Sequence, residues 1–172
     1  VISTFKDFIE ENKDEILALR IIYNETYKKR PMVLKKLTEL YQKLKAKGIT
    51  PSDELIRQCP KDIEAARELL LSLHREGLEF DAVITSDDSL AVGAVKYAHI
   101  ADISIPRDLS IIGYNNSLLA RCTDPEITSI DSKVEALCTT TINTLMGVFS
   151  GVNVPSRTTI ASDLIKRKTT NF

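Results

Sequence analysis

Tryptophan is absent and histidine nearly so, with only His74 and His99 in 172 residues. Catalysis or metal binding through imidazole has little to draw on. Cysteine is almost as scarce. Cys59, Cys122 and Cys138 are odd in number, far apart and without C-x-x-C spacing. That pattern argues against a disulfide framework or zinc site and for small hydrophobes in a reducing cytosol. A formal net charge of −1 supplies no general attraction to nucleic acid or an anionic membrane. No apolar stretch approaches the ~20 residues that a spanning helix needs. The opening VISTFKDFIEENKDE lacks the basic start and uninterrupted apolar core of a signal peptide. Glycine-rich phosphate loops and G-x-S-x-G elbows are missing too. The sequence points away from an enzyme, and no cofactor or metal is expected.

What is present is alternation. Helix and strand signals follow one another along the chain, the mark of an α/β layer structure. Phe5, Phe8 and Ile9 outline a short first helix, and ILALRIIY (16–23) reads as a strand covered on both faces. Leu34, Leu37, Tyr41 and Leu44 give a helical stripe after Pro31, stopped at Gly48. Ile63, Ala66, Leu70 and Leu73 give a second, ended by Gly77. AVIT (82–85) is a buried strand, followed by a helix over about 89–99 that offers Leu90, Ala94, Val95 and Ala98 for packing. LSIIG (109–113) and ITSI (127–130) are further strands. Ser132 and Glu135 have capping-box spacing before a helix reaching about Ser150, and Gly151 ends it. TTIASDLI is a last extended segment, and the KRK that follows (166–168) reads as a solvated edge.

Two strands end in polar clusters. AVIT runs into Ser86-Asp87-Asp88, and LSIIG into Tyr114-Asn115-Asn116. In open α/β sheets, ligands bind outside the carboxyl ends of parallel strands. A carboxylate accepts hydrogen bonds and an amide both donates and accepts, which suits the hydroxyls of a sugar or other polyol. Spacing alone leaves other roles open. Asp88 or Ser86 would also cap the next helix, Asn115-Asn116 would also make an Asx-type turn, and Asp87-Asp88 could be drawn as a metal-binding pair.

The order of segments narrows this. DAVITSDDSLAVGAVKYA, SIPRDLSIIGYNNS, DPEITSID, a helix and DLIKRKTT together closely resemble the effector-binding region of the lactose-repressor (LacI/GalR) family of bacterial transcription regulators. The resemblance covers about residues 81–170 and is specific in combination. It implies a periplasmic-binding-protein-like (type I) fold, a three-layer α/β structure with a parallel sheet and helices on both faces, mostly the C-terminal lobe. By that likeness residues 10–127 and 157–170 form the C-terminal lobe, and 128–151 the return segment of an N-terminal lobe. The family's DNA-binding headpiece is not among these residues, so the chain reads as a fragment. Val134, Leu137, Ile142, Leu145 and Phe149 on helix 132–150 would then lack their usual partners, forfeiting ~1.5–3 kcal/mol each relative to burial.

The likeness implies a cytoplasmic, homodimeric sensing region that binds a small carbohydrate effector and modulates operator DNA binding by the full-length protein. DNA would be touched only through the missing N-terminal domain, and no membrane is involved. GYNNS and KRKTT are similar to maltose-type repressors, which implies a maltose-like saccharide. A periplasmic-type sugar receptor of a transport system would share the fold, but the free cysteines and repressor-like tail argue against it. By resemblance, Asp87 replaces a cleft-facing asparagine and Asn115 an aspartate that grips effector hydroxyls. Ser132 falls on the hinge side of the cleft, and Lys61 near the place of a cleft aromatic. A ligand-contacting arginine of the family falls at Leu37. Val92 and Leu118 fall where family members dimerise.

Overall fold

The computed structural model describes residues 19–24 and 56–171. Six strands form one sheet: β1 (Leu19–Asn24), β2 (Ile56–Cys59), β3 (Ala82–Thr85), β4 (Ser110–Tyr114), β5 (Thr128–Asp131) and β6 (Asp163–Ile165). Their spatial order is β2-β1-β3-β4-β5-β6. The first five are mutually parallel, while β6 runs antiparallel to β5. The sheet is thus the expected parallel one with a single antiparallel strand added at its edge. The stripes at 5–9 and 31–47, and with them Leu37 and Gly48, lie outside the described residues.

β3 is buried along its whole length, as a strand covered on both faces must be. Val83, Ile111 and Ile127 point into a cluster with Ala66, Leu70, Leu90, Ala94 and Leu109. Alternation sends Ile84, Ile112 and Ile130 to the opposite face, where they are equally sealed. Three helices cover the first face: α1 (Ile63–Arg75), α2 (Asp88–Ile100) and the short α3 (Leu118–Cys122). α1 buries the expected Ala66, Leu70 and Leu73. Burying each leucine contributes about 1.5–3 kcal/mol. α1 and α2 approach closely at Gly93, where an added Cβ would sit 2.5 Å from the Ile63 carbonyl oxygen and 2.7 Å from the Ala66 Cβ.

α1 ends where its glycine predicts. Gly77 has φ +75°, its N–H donates to His74 O, and Leu78 N donates to Leu73 O, the paired bonds of a Schellman motif.

The last helix, α4 (Val134–Phe149), behaves differently. None of its residues is buried. Leu137, Ile142, Leu145, Met146 and Phe149 are all more than half exposed, Phe149 at 75%. Its start also departs from expectation. The N-cap is Lys133 in the left-handed region (φ 54°), with no side-chain cap bond, so the Ser132–Glu135 capping box does not form. The Asp131 carboxylate accepts from Lys133 N at 2.9 Å, and the Lys133 ammonium pairs with Asp163 of β6 at 2.6 Å. Residues 128–131, expected in the return segment, are instead the fifth strand of this sheet. Only 163–165 of the expected extended segment is strand.

Candidate functional site

The carboxyl ends of the parallel strands converge on one edge of the sheet. β2 lies on one side of β1 and β3 on the other, which makes this edge a topological switch point, the place where open α/β sheets hold ligands. Lys61 follows β2, Asp87 follows β3, Asn115 follows β4 and Ser132 follows β5. β2 itself was not legible beforehand. Its IRQC sequence is half polar, as suits the outer strand of the sheet.

Asp87 stands at the centre. It is the N-cap of α2, so the capping role falls to Asp87 and not to Ser86 or Asp88. One carboxylate oxygen, Oδ1, accepts from Ser89 N at 3.0 Å and Ser89 Oγ at 2.7 Å. The other, Oδ2, accepts from Asn115 Nδ2 at 2.9 Å and pairs with Lys61 Nζ at 2.6 Å. Lys61 follows β2, which is separated from β3 by β1 in the sheet order. Asp87 is 7% exposed, whereas the Lys61 side chain is 55% exposed. Burial pushes the Asp87 carboxyl upward. The Lys61 ammonium and the Ser89 hydrogen bonds outweigh that and hold it below the usual carboxylate range. Three of the four expected site residues therefore meet at one carboxylate.

A second, deeper acid anchors the loop that carries Asn115. Asp88 is 1% exposed. Its Oδ1 accepts from Ser129 Oγ and its Oδ2 from Ser117 N, both at 2.6 Å. It lies directly over Gly113, where a Cβ would come within 2.3 Å of Oδ1; only glycine leaves room for it. Ser129 Oγ accepts in turn from Asn116 N at 3.0 Å, and Asn115 N donates to Ile130 O at 2.9 Å. Asn115 and Asn116 have φ of 98° and 50°. Asparagine tolerates this left-handed backbone better than most residues. Asp88 is thus spent on structure.

Arg167 completes the cluster and was missed in the sequence. Its guanidinium donates to Ile127 O at 2.8 Å and to Asn116 Oδ1 at 2.6 Å, so the central residue of KRK is no solvated edge, although Lys166 and Lys168 are exposed. The tail around it is stitched to the sheet. Arg167 N donates to Thr128 Oγ1, Thr169 Oγ1 to Ile111 O, and Ile111 N to Thr169 O. Arg167 and Asn116 are 51 residues apart, and no local pattern announces such a pair.

Ser132 lies at the same sheet edge, half-buried, with no hydrogen bond to the Asp87 cluster. Val92 is partly buried against the core, and Leu118 is 67% exposed. Cys59 is buried, Cys122 and Cys138 are exposed, and all three are free. Burial, reinforced by the charge of Asp62, pushes the Cys59 thiol up to about 11. It stays protonated at neutral pH. No described helix is long and apolar enough to cross a membrane.

An open, mostly parallel sheet with a hydrogen-bonded polar cluster at its strand ends defines an α/β lobe of the ligand-binding class. The sequence agrees: the periplasmic binding protein-like domain matches residues 20–170, and the chain belongs to that family, in the form carried by LacI/GalR-type regulators. An HTH-type transcriptional regulator of Lachnoclostridium phytofermentans is 47% identical over 164 residues, which is 95% of this chain and 47% of that protein. The chain thus spans about half the length of this curated relative. Among solved structures, the transcriptional repressor AscG of Escherichia coli superposes with a TM-score of 0.83 at 22% identity, over 98% of this chain and 61% of that one. The transcriptional regulator CelR in complex with cellobiose gives 0.82 at 17%, over 98% and 51%. These relatives are transcriptional regulators and not enzymes.

Proposed function

We propose that this chain is the ligand-sensing and dimerisation region of a LacI-type transcriptional regulator, and that its effector is a small carbohydrate. The effector would sit at the carboxyl ends of β3 and β4, against the cluster of Asp87, Asn115 and Lys61, with Ser132 on the rim. The observation that carries this reading is the convergence of those three side chains from three strand ends. Carboxylate and ammonium neutralise each other, which leaves a polar, uncharged surface suited to hydroxyl groups. The cellobiose complex of CelR supports a disaccharide-sized effector, and a maltose-like sugar is the first to try.

The rest of the regulator supplies the DNA-binding domain. Helix α4 and its flanks, residues 132–151, belong to a second lobe, and its exposed apolar face is covered there. Effector occupancy shifts the balance between lobe arrangements by differential affinity, and a cytoplasmic homodimer, contacting through Val92 and Leu118, relays the shift to operator DNA.

The test is calorimetric titration of the full-length protein with a panel of mono- and disaccharides, paired with operator binding in the presence and absence of each. Heat from one sugar together with a change in operator affinity is the expected result. No heat from any sugar and no effect on DNA would overturn the proposal.

A further inference from the structure

An ionised carboxylate has about four acceptor positions on its two oxygens and no proton to give. At Asp87 four donors already reach them: the N–H and the hydroxyl of Ser89 on Oδ1, and the Asn115 amide and Lys61 ammonium on Oδ2. The side chain is 9% exposed. A ligand hydroxyl could use Asp87 only by displacing one of these partners. Asn115 is in the opposite situation. Because Asp87 can only accept, the amide nitrogen of Asn115 must be the atom facing it. The amide oxygen Oδ1 is thereby turned away, and no described residue donates to it. Its backbone is pinned as well, with Asn115 N on Ile130 O at 2.9 Å and the next residue held by Ser129 and Arg167.

We infer that Asp87 is a positioning residue and Asn115 the contact: the Asp87 carboxylate fixes the orientation of the Asn115 amide so that Asn115 Oδ1 accepts a hydrogen bond from an effector hydroxyl. The inference rests on the carbohydrate reading above and divides the labour within it. It also explains the residue types. A carboxylate at 115 would put two negative charges a hydrogen bond apart, whereas an amide meets Asp87 with a donor and keeps an acceptor for the ligand.

The experiment uses the full-length protein with maltose, cellobiose and galactose as probes, and the variants Asp87→Asn, Asn115→Ala and the double variant. Asparagine caps a helix as well as aspartate does, so α2 keeps its cap in Asp87→Asn. For a sugar that binds the parent protein, Asn115→Ala is expected to weaken binding about thirtyfold and Asp87→Asn about tenfold. The double variant should be no weaker than Asn115→Ala alone, within about twofold, as for residues acting through one contact. Effects that multiply would overturn the inference, since Asp87 would then touch the sugar itself. A second readout needs no ligand. The two side-chain Nδ2 protons of Asn115, followed by NMR, should lose their inequivalent solvent exchange in Asp87→Asn. Unchanged Asn115 signals would overturn the positioning role even if sugar binding were found. Altered signals with none of the three sugars bound would uphold the positioning role and sink the carbohydrate reading instead.

Discussion

Helices α2 and α4 are both rich in apolar residues, yet the molecule treats them in opposite ways. α2 buries Leu90, Ala91, Ala94, Val95, Tyr97 and Ala98. α4 buries nothing, and leaves Leu137, Ile142, Leu145 and Phe149 more than half exposed. The difference lies in the partner. α2 lies on the sheet and on α1, and Gly93 is small enough to let the two helices meet. For α4 no such surface exists among the described residues. Apolar composition reports that a helix was selected to be buried; it does not say that the burying surface belongs to the same stretch of chain.

Several substitutions break or sharpen this comparison. The largest effect is expected from Leu90→Ala, which empties a fully sealed site and should cost about 2–5 kcal/mol in urea unfolding. Gly93→Ala tests the helix contact directly. Its Cβ would collide with backbone and with Ala66, and a loss of about 1–3 kcal/mol is expected from the same measurement. Arg167→Met removes the donors to Ile127 O and Asn116 Oδ1, for a loss of about 1–2 kcal/mol. Arg167→Lys should not restore it, because one ammonium cannot serve both acceptors with the guanidinium's fixed fork.

The Asp87 pair is expected to show itself in pH dependence. The folded-state carboxyl lies below its ordinary value, so the stability it contributes is complete above the unfolded carboxylate range, near pH 3.9. That stability is lost as pH falls through the lower folded value. The stability gap between the parent protein and Asp87→Asn should be constant from pH 6 to 7 and close in acid. A gap that widened in acid would contradict the pairing. The smallest effect belongs to α4. In this chain Leu145→Ala should change stability by less than about 0.5 kcal/mol, although in the full-length regulator it should approach the core range. A core-sized loss in this chain alone would show that α4 already has its partner here.

Much of the site was readable, and the reasons differ by residue. Asp87 and Asn115 sit just past apolar strands, and parallel strands deliver their following residues to one edge, so pattern and topology together placed them. Lys61 was readable only by resemblance, because the strand before it, β2, carries Arg57 and Gln58 and hides its period. Arg167 could not be found. Its basic neighbours Lys166 and Lys168 are exposed, while its own partners, Asn116 and Ile127, are fixed by the path of the tail. The capping box failed for a related reason. Asp131 and Asp163, brought together by the β5–β6 pairing, capture Lys133 and draw the start of α4 into a left-handed turn.

The sequence by itself determined the helices α1, α2 and α4, the apolar strands β1, β3, β4 and β5, the glycine stops at Gly77 and Gly151 and the polarity of the strand ends, because these follow from local geometry and from alternation of apolar residues. The short α3 lies in what reads as a loop. Tertiary structure alone decided which acid joins the polar cluster at the sheet edge and which is sealed inside the fold. Asp87 and Asp88 are neighbours of the same type. One meets an ammonium and an amide at the sheet edge; the other is sealed above a glycine with Ser129 and Ser117. Partners between 26 and 41 residues away make that choice, and adjacency in the chain carries no record of them.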